Sequence, residues 1–254
     1  MTHHEEQVMG TVVTIDLYSD SGPSAVDLSP LLNRARAILQ HADNVFSTWK
    51  LDSPMSRIRR KEITSAQAPP EVAEVLQLCG TARELTDGWF DPWAMPGGVD
   101  PTGYVKGWAA QQAADALASP AITGAIVNAA GDIASFGGVA RTRPFRFGIV
   151  DPLAPGRIAS VVELSGALAT SGTYERGHHL FDPNARRTVA RVASATVSGP
   201  DLGLADALAT AVAVAGEEGL QFVHRLDGYQ ALTISFEGTM QWTPGFPFAR
   251  STTV

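Results

Sequence analysis

The sequence carries a single cysteine, Cys79, in 254 residues. That excludes an internal disulfide framework and any cluster of thiolate metal ligands. Cys79 falls on the apolar stripe of a segment with helical spacing and reads as a buried structural thiol. Basic residues are also scarce: 19 Lys and Arg face 26 Asp and Glu, for a formal charge of -7. Nucleic-acid binding needs clustered Lys and Arg, so no nucleic-acid surface is expected. The short runs Arg57-Ile58-Arg59-Arg60-Lys61 and Arg141-Thr142-Arg143 read as solvated loops. The longest apolar run, around Asp206, is too short to span a bilayer. The start, Met1-Thr2-His3-His4-Glu5-Glu6-Gln7, lacks the basic region and apolar core of a secretory signal. No membrane insertion and a cytoplasmic location are the expectation. No G-x-G-x-x-G follows a strand, and neither G-K-[ST] nor G-x-S-x-G occurs. A dinucleotide fingerprint, a phosphate loop and a nucleophile elbow are therefore all unsupported.

What is present is enough apolar material, 44% of the chain, to bury a full core. Val8 to Tyr18 alternates as a strand, with Gly10 inside it. Ser29-Pro30 reads as an N-cap and N1 pair opening a helix through Phe46. Pro69-Pro70 opens a second helix, whose stripe Val72, Val75, Leu76, Cys79, Ala82 and Leu85 ends at Asp87-Gly88. Helical spacing returns over Tyr104 to Leu117, Leu204 to Ala215 and Glu217 to Leu226. Strands are expected at Ile122 to Val127, Ile133 to Phe136, Phe145 to Val150, Ile158 to Leu164, Ala167 to Ala169 and Val192 to Ser198. A closing hairpin takes Ala231 to Phe236 and Met240 to Thr243. Strands and helices come in mixed order with hairpins. The expected fold is one α+β domain over 1–254, with mixed, largely antiparallel sheets packed with helices.

Asp206 and Thr210 stand four residues apart in the helical stretch 205–214, which is otherwise apolar. They share one face and present a carboxylate and a hydroxyl together. An unpartnered buried carboxylate costs several kcal/mol, so a cation, a hydrogen-bond network or a helix N-terminus must accompany Asp206. One reading is structural: Asp206 in a first turn, favoured by the helix dipole, with Thr210 bonding back to a carbonyl. The other is an oxygen-donor pair for a cation. Three loops have compositions suited to ligand binding: 46–54, the Trp-, Asp- and Gly-rich stretch 88–103, and 170–183. Asp91 and Asp100 each precede proline and also suit plain turns. Adjacent His178-His179, without further spaced ligands, does not make a transition-metal site.

Read in order, these segments resemble the ApbE family of FAD:protein FMN transferases. The matching pieces begin with Met9-Gly10-Thr11, Phe46-Ser47-Thr48-Trp49 with Asp52-Ser53, Phe90-Asp91-Pro92, and Asp100-Pro101-Thr102-Gly103-Tyr104-Val105-Lys106-Gly107. They continue with Ala130-Gly131-Asp132, Thr170-Ser171-Gly172, His179 with Asp182-Pro183, and Asp206-Ala207-Leu208-Ala209-Thr210. The resemblance implies an ApbE-like fold and Mg²⁺-dependent cleavage of FAD. FMN would pass to a Ser or Thr hydroxyl of an acceptor protein, with release of AMP. It implies a magnesium set of Asp206, Thr210 and the Gly103 carbonyl, the hard oxygen ligands this cation prefers. Met9, Trp49, Asp91, Asp100, Lys106 and His179 would hold flavin and adenosine. Asp206 and His179 would act in catalysis, with His179 assisting the acceptor hydroxyl. The competing activity is FAD binding alone, or hydrolysis to FMN and AMP without an acceptor. The chain departs from the family pattern at Gln111, in place of an aspartate, and at Ala130, in place of the first glycine of a Gly-Gly-Asp turn. Asn184-Ala185-Arg186 replaces Arg-Thr-Gly, and the span from Tyr174 to His179 is short. These departures bear on adenosine geometry and the acceptor groove more than on the metal set.

Overall fold

The chain opens with a hairpin where one strand was expected. Strands β1 (Thr2–Val8) and β2 (Thr11–Tyr18) pair antiparallel. They are joined by Met9 and Gly10 at φ 54° and 70°. A two-residue hairpin loop with both residues left-handed matches the right-handed twist of its strands, and that conformation selects glycine. No protein atom lies within 4 Å of where a Cβ on Gly10 would sit, so the dihedral rather than a close protein contact demands it. The computed structural model describes residues 1–20, 27–140, 142–172 and 180–250.

Helix α1 (Ser29–Phe46) buries Ala35, Leu39, Ala42, Val45 and Phe46, at the spacing of one face. Its N-cap is Leu28 rather than Ser29, and the Ser29 amide donates to Asp27 Oδ1 at 2.9 Å. Part of the basic run, expected as a loop, is helical: α2 (Pro54–Arg59) is capped by Ser53, whose side chain accepts from the Ser56 amide at 3.0 Å. The Ser-Pro pair supplies cap and first turn together. Helix α3 (Pro70–Leu85) ends ahead of Asp87 and Gly88, both at positive φ. Cys79 is fully buried in it, and burial pushes its thiol up to about 12. It is the inert structural thiol the sequence suggests.

Helix α4 (Thr102–Asp115) follows, and then the sheet. Strands β3 (Gly124–Ala129), β4 (Asp132–Ala140) and β7 (Gly166–Gly172) lead to β10 (Ser194–Gly199). β11 (Gln230–Ile234) and β12 (Met240–Trp242) complete the order β1-β2-β3-β4-β7-β10-β11-β12. Strands β5 (Arg143–Val150) and β6 (Ile158–Leu164) branch from β4, and β8 (Phe181–Asp182) and β9 (Arg187–Thr188) form a separate two-stranded piece. Every pair is antiparallel, so the α+β expectation holds. Successive strand residues point to opposite faces. Leu168 and Leu232 accordingly join one apolar cluster with Phe145, Phe147 and Phe246, while Ala169 and Ala231 join the larger one beneath the helices.

That larger cluster centres on α5 (Leu202–Ala215), which is followed by α6 (Glu217–His224). Helix α5 is nearly all buried and crosses α4 at backbone distance. A Cβ on Gly107 would lie 2.3 Å from the Leu202 carbonyl oxygen and 3.0 Å from Asp206 Cβ, and one on Gly203 would lie 2.8 Å from Tyr104 Cε1. Gly107 is a packing requirement. Gly107→Ala is expected to destabilise the fold by about 3 kcal/mol, because the clash is with backbone that cannot rotate away. Gly80, in the interior of α3, meets only Trp93 Cη2 at 3.9 Å from its would-be Cβ. Gly80→Ala is expected to stabilise by about 0.5–1 kcal/mol through helix propensity. Urea unfolding of the two variants checks both signs.

Candidate active site

The crossing of α4 and α5 places three charged groups together at the base of a cleft. Asp206 lies in the second turn of α5, not the first; the N-cap is Asp201, whose side chain accepts from the Leu204 amide at 2.8 Å. Asp206 is 3% exposed and accepts from the Gly107 amide at 3.2 Å. In helical register that amide's acceptor is the Gly103 carbonyl. One residue earlier, Lys106 ion-pairs with fully buried Asp132 and stands 3.7 Å from Asp206 Oδ2. Asp132 in turn accepts from the Thr170 amide at 3.0 Å. One lysine thus faces two buried carboxylates.

Thr210 lies one helical turn beyond Asp206, and its hydroxyl exchanges a hydrogen bond with Ser171 Oγ at 3.2 Å. This is a different partner from the backbone carbonyl of the structural reading. A Cβ on Gly103 would lie 3.8 Å from Thr210 Oγ1, so the start of α4 also reaches this point. Asp206, Thr210 and Gly103 therefore meet as a carboxylate, a hydroxyl and a backbone segment. Among the described residues no group of three or more His, Cys, Asp or Glu is placed to hold a metal. Any cation here would rely on neutral oxygens beside a single direct carboxylate.

The cleft above this base encloses about 490 Å³. Met9, Trp49, Asp91, Asp100, Gly103, Lys106, Asp206 and Thr210 all line it, joined by Phe46, Trp89, Phe90 and Met95. Its walls are aromatic and its floor is made of oxygens. Trp49, 91% exposed, stands on a turn whose amides at Trp49 and Lys50 donate to Ser47 Oγ. Asp91 and Asp100 do perform the turn role that proline neighbours suggest: Asp91 accepts from the Trp93 amide, and Asp100 from the Thr102 amide and hydroxyl. Each also pairs with an arginine, Asp91 with Arg83 at 2.8 Å and Asp100 with Arg59 at 3.0 Å. Their carboxylates already have protein partners. His179 lies outside the described residues. Asp182 accepts from the Asn184 and Ala185 amides, so it caps the Asp-Pro turn.

One departure acquires a local explanation, and another stands where the backbone favours glycine. The Gln111 carboxamide oxygen accepts from the Leu202 amide at 3.2 Å, satisfying a donor at the start of α5. Ala130 sits at φ 52° in the loop between β3 and β4, the conformation that favours glycine. Sequence reasoning quoted Asp132 and Ser171 only within matching segments, without a role, and read Arg59 as part of a solvated run. A carboxylate directly after a glycine turn, at the start of a buried strand, was the available signal for Asp132. Nothing local marked Arg59.

The chain is thus an antiparallel sheet backed by two glycine-apposed helices, with a cleft at their crossing, and its fold is that of solved ApbE proteins. It superposes on the ApbE protein of Thermotoga maritima with a TM-score of 0.83 at 21% identity, covering 96% of this chain and 97% of that one. The flavin transferase ApbE of Vibrio cholerae gives 0.82 at 23% identity, over 96% of this chain and 97% of that one. The chain belongs to the ApbE family, whose model matches residues 9–98 and 94–233. In sequence it is 33% identical to an FAD:protein FMN transferase of Rhodobacter capsulatus over 70% of this chain, but that match spans only 38% of the relative. A Vibrio cholerae FAD:protein FMN transferase is 27% identical over 85% of this chain and 82% of its own length. No helix among the described residues is long and apolar enough to cross a membrane.

Removing the lysine tests the charge arrangement. Lys106→Met is expected to destabilise the fold by about 3–5 kcal/mol in the presence of a chelator, since Asp132 and Asp206 are left buried together. The Lys106→Met, Asp132→Asn double variant should recover part of that loss. Denaturant titrations of the three proteins check it.

Proposed function

We propose that this chain is an Mg²⁺-dependent FAD:protein FMN transferase, which moves FMN from FAD to a Ser or Thr hydroxyl of an acceptor protein. The hydroxyl oxygen would form a phosphoester bond to the FMN phosphorus, the pyrophosphate P–O bond would break, and AMP would leave. The supporting observation is the convergence of eight residues, from Met9 to Thr210, on one cleft with an aromatic wall and an oxygen floor. Family membership and relatives named for this activity support it as well.

The donor set fits magnesium. Asp206, Thr210 and the Gly103 carbonyl are hard oxygens, and a cation of this size keeps its remaining positions for substrate phosphate and water. Bound there, Mg²⁺ supplies positive charge against the pyrophosphate oxygens as charge develops on them. The protein's own part is positioning. Met9, Trp49, Asp91 and Asp100 would hold the flavin and adenosine rings, flat surfaces that aromatic and thioether side chains flank well. Lys106 would bring a positive charge to the phosphates from its place between Asp132 and Asp206. His179 would take the proton of the acceptor hydroxyl, a poor nucleophile at neutral pH, because an imidazole has the pKa for that exchange.

Asp206→Ala is expected to abolish metal-dependent transfer. Thr210→Ala should be milder, because water can replace a neutral hydroxyl ligand. The assay is the mass gain of one FMN on a co-incubated acceptor, with AMP measured in parallel. AMP release without that mass gain would identify an FAD hydrolase. Transfer by Asp206→Ala equal to that of the unaltered protein at saturating Mg²⁺ would overturn the metal set. His179→Asn should lose transfer while keeping FAD affinity by calorimetry; lost Mg²⁺ affinity with unchanged single-turnover chemistry would reassign it to the metal.

A further inference from the structure

Arg59 has no place in the chemistry described so far, yet its side chain is heavily engaged beside the cleft. Its side chain is 17% exposed. It donates from Nη1 to the carbonyls of Gly98 at 3.2 Å and Val99 at 3.0 Å, and from Nη2 to that of Pro96 at 2.9 Å. Nη1 also lies 3.0 Å from Asp100 Oδ2. The loop is shaped to this side chain. Gly97 and Gly98 have φ of 82° and 107°; a Cβ on Gly97 would lie 2.9 Å from Nη2, and one on Gly98 would lie 3.3 Å from the Arg59 carbonyl oxygen. The loop closes on itself through the Asp100 amide, which donates to Pro92 O at 2.9 Å.

The other end of α2 is tied just as firmly to the opposite rim. Ser53 and Ser56, at its start, both donate from their hydroxyls to the Ser47 carbonyl, and Ser47 Oγ organises the turn that carries Trp49. A six-residue helix therefore spans the aromatic rim and the rim that carries Asp100. A planar guanidinium with five fixed donors can hold three carbonyls and a carboxylate at once, which a lysine ammonium cannot match in geometry.

We infer that Arg59 is a positioning residue for the flavin nucleotide: it fixes loop 96–100 against α2 and so sets the spacing between Asp100 and the Trp49 turn. The inference rests on the flavin transferase reading for its ligand, but not for its structural half.

The experiment compares Arg59→Met and Arg59→Lys with the unaltered protein in hydrogen exchange without ligand, FAD affinity, and steady-state FMN transfer. Arg59→Met should speed exchange at the described amides of 97–100. It should also raise the FAD Kd and the KM for FAD by about tenfold, the effect of about 1.4 kcal/mol of binding, with kcat at saturating FAD within about twofold. Arg59→Lys should recover part of both. Unchanged exchange in Arg59→Met overturns the inference. So does faster exchange with unchanged FAD affinity, or a loss confined to kcat. If the unaltered protein bound no FAD, the flavin transferase reading would fall and the positioning role for flavin with it, while exchange would still report whether Arg59 holds the loop.

Discussion

The contact on which the rest depends is the apposition of Gly107 on α4 and Leu202 on α5, where no side chain separates the backbones. It determines how far the α5 carboxylate projects. Because the helices touch at backbone distance, Asp206 reaches the Gly107 amide, Lys106 comes between two acids, and the segment at Gly103 meets Thr210. A methyl group at 107 would push all of these apart. Low helix propensity at glycine is the cost of that proximity, and burial of nearly the whole of α5 offsets it.

A second arrangement governs the upper cleft. Its walls are loops, but loops held by side chains on short pieces of helix. Ser47 gathers the Trp49 turn, Asp91 and Asp100 each cap the backbone just after them, and arginines neutralise both acids. These loops are hydrogen-bonded within themselves, with no ligand needed to make those contacts. Preformed loops lower the ordering cost of binding, which suits a cleft assembled to orient a flexible substrate.

Much of the fold was legible because the periodicities were strong. The stripe through Val72, Val75, Cys79 and Ala82 located α3, and β6 spans the expected Ile158–Leu164. The errors came where turn geometry outweighed pattern. Met9-Gly10 turned a predicted single strand into a hairpin, and Ser53-Pro54 started a helix inside a presumed basic loop. The expected site residues were chosen through their order along the chain, and the eight that are described line one cleft. Arg59 was not, since charge alone does not distinguish a solvated arginine from one wrapped by a glycine loop. Asp132 stood in a matching segment without a role because its meaning depends on Lys106, a partner from another part of the sequence.

That dependence on distant partners has a kinetic side. The bond from Gly107 to Asp206 closes a loop of 99 residues, and the Asp132 to Thr170 bond joins neighbouring strands 38 residues apart. The entropy of closing such loops must be met before the contacts give anything back. No contiguous fragment shorter than about two hundred residues contains the cleft from Met9 to Thr210. On a growing chain the site therefore cannot exist until α5 has emerged, and everything synthesised earlier must wait, with one face of β7 and β10 uncovered, for the helix that packs on it.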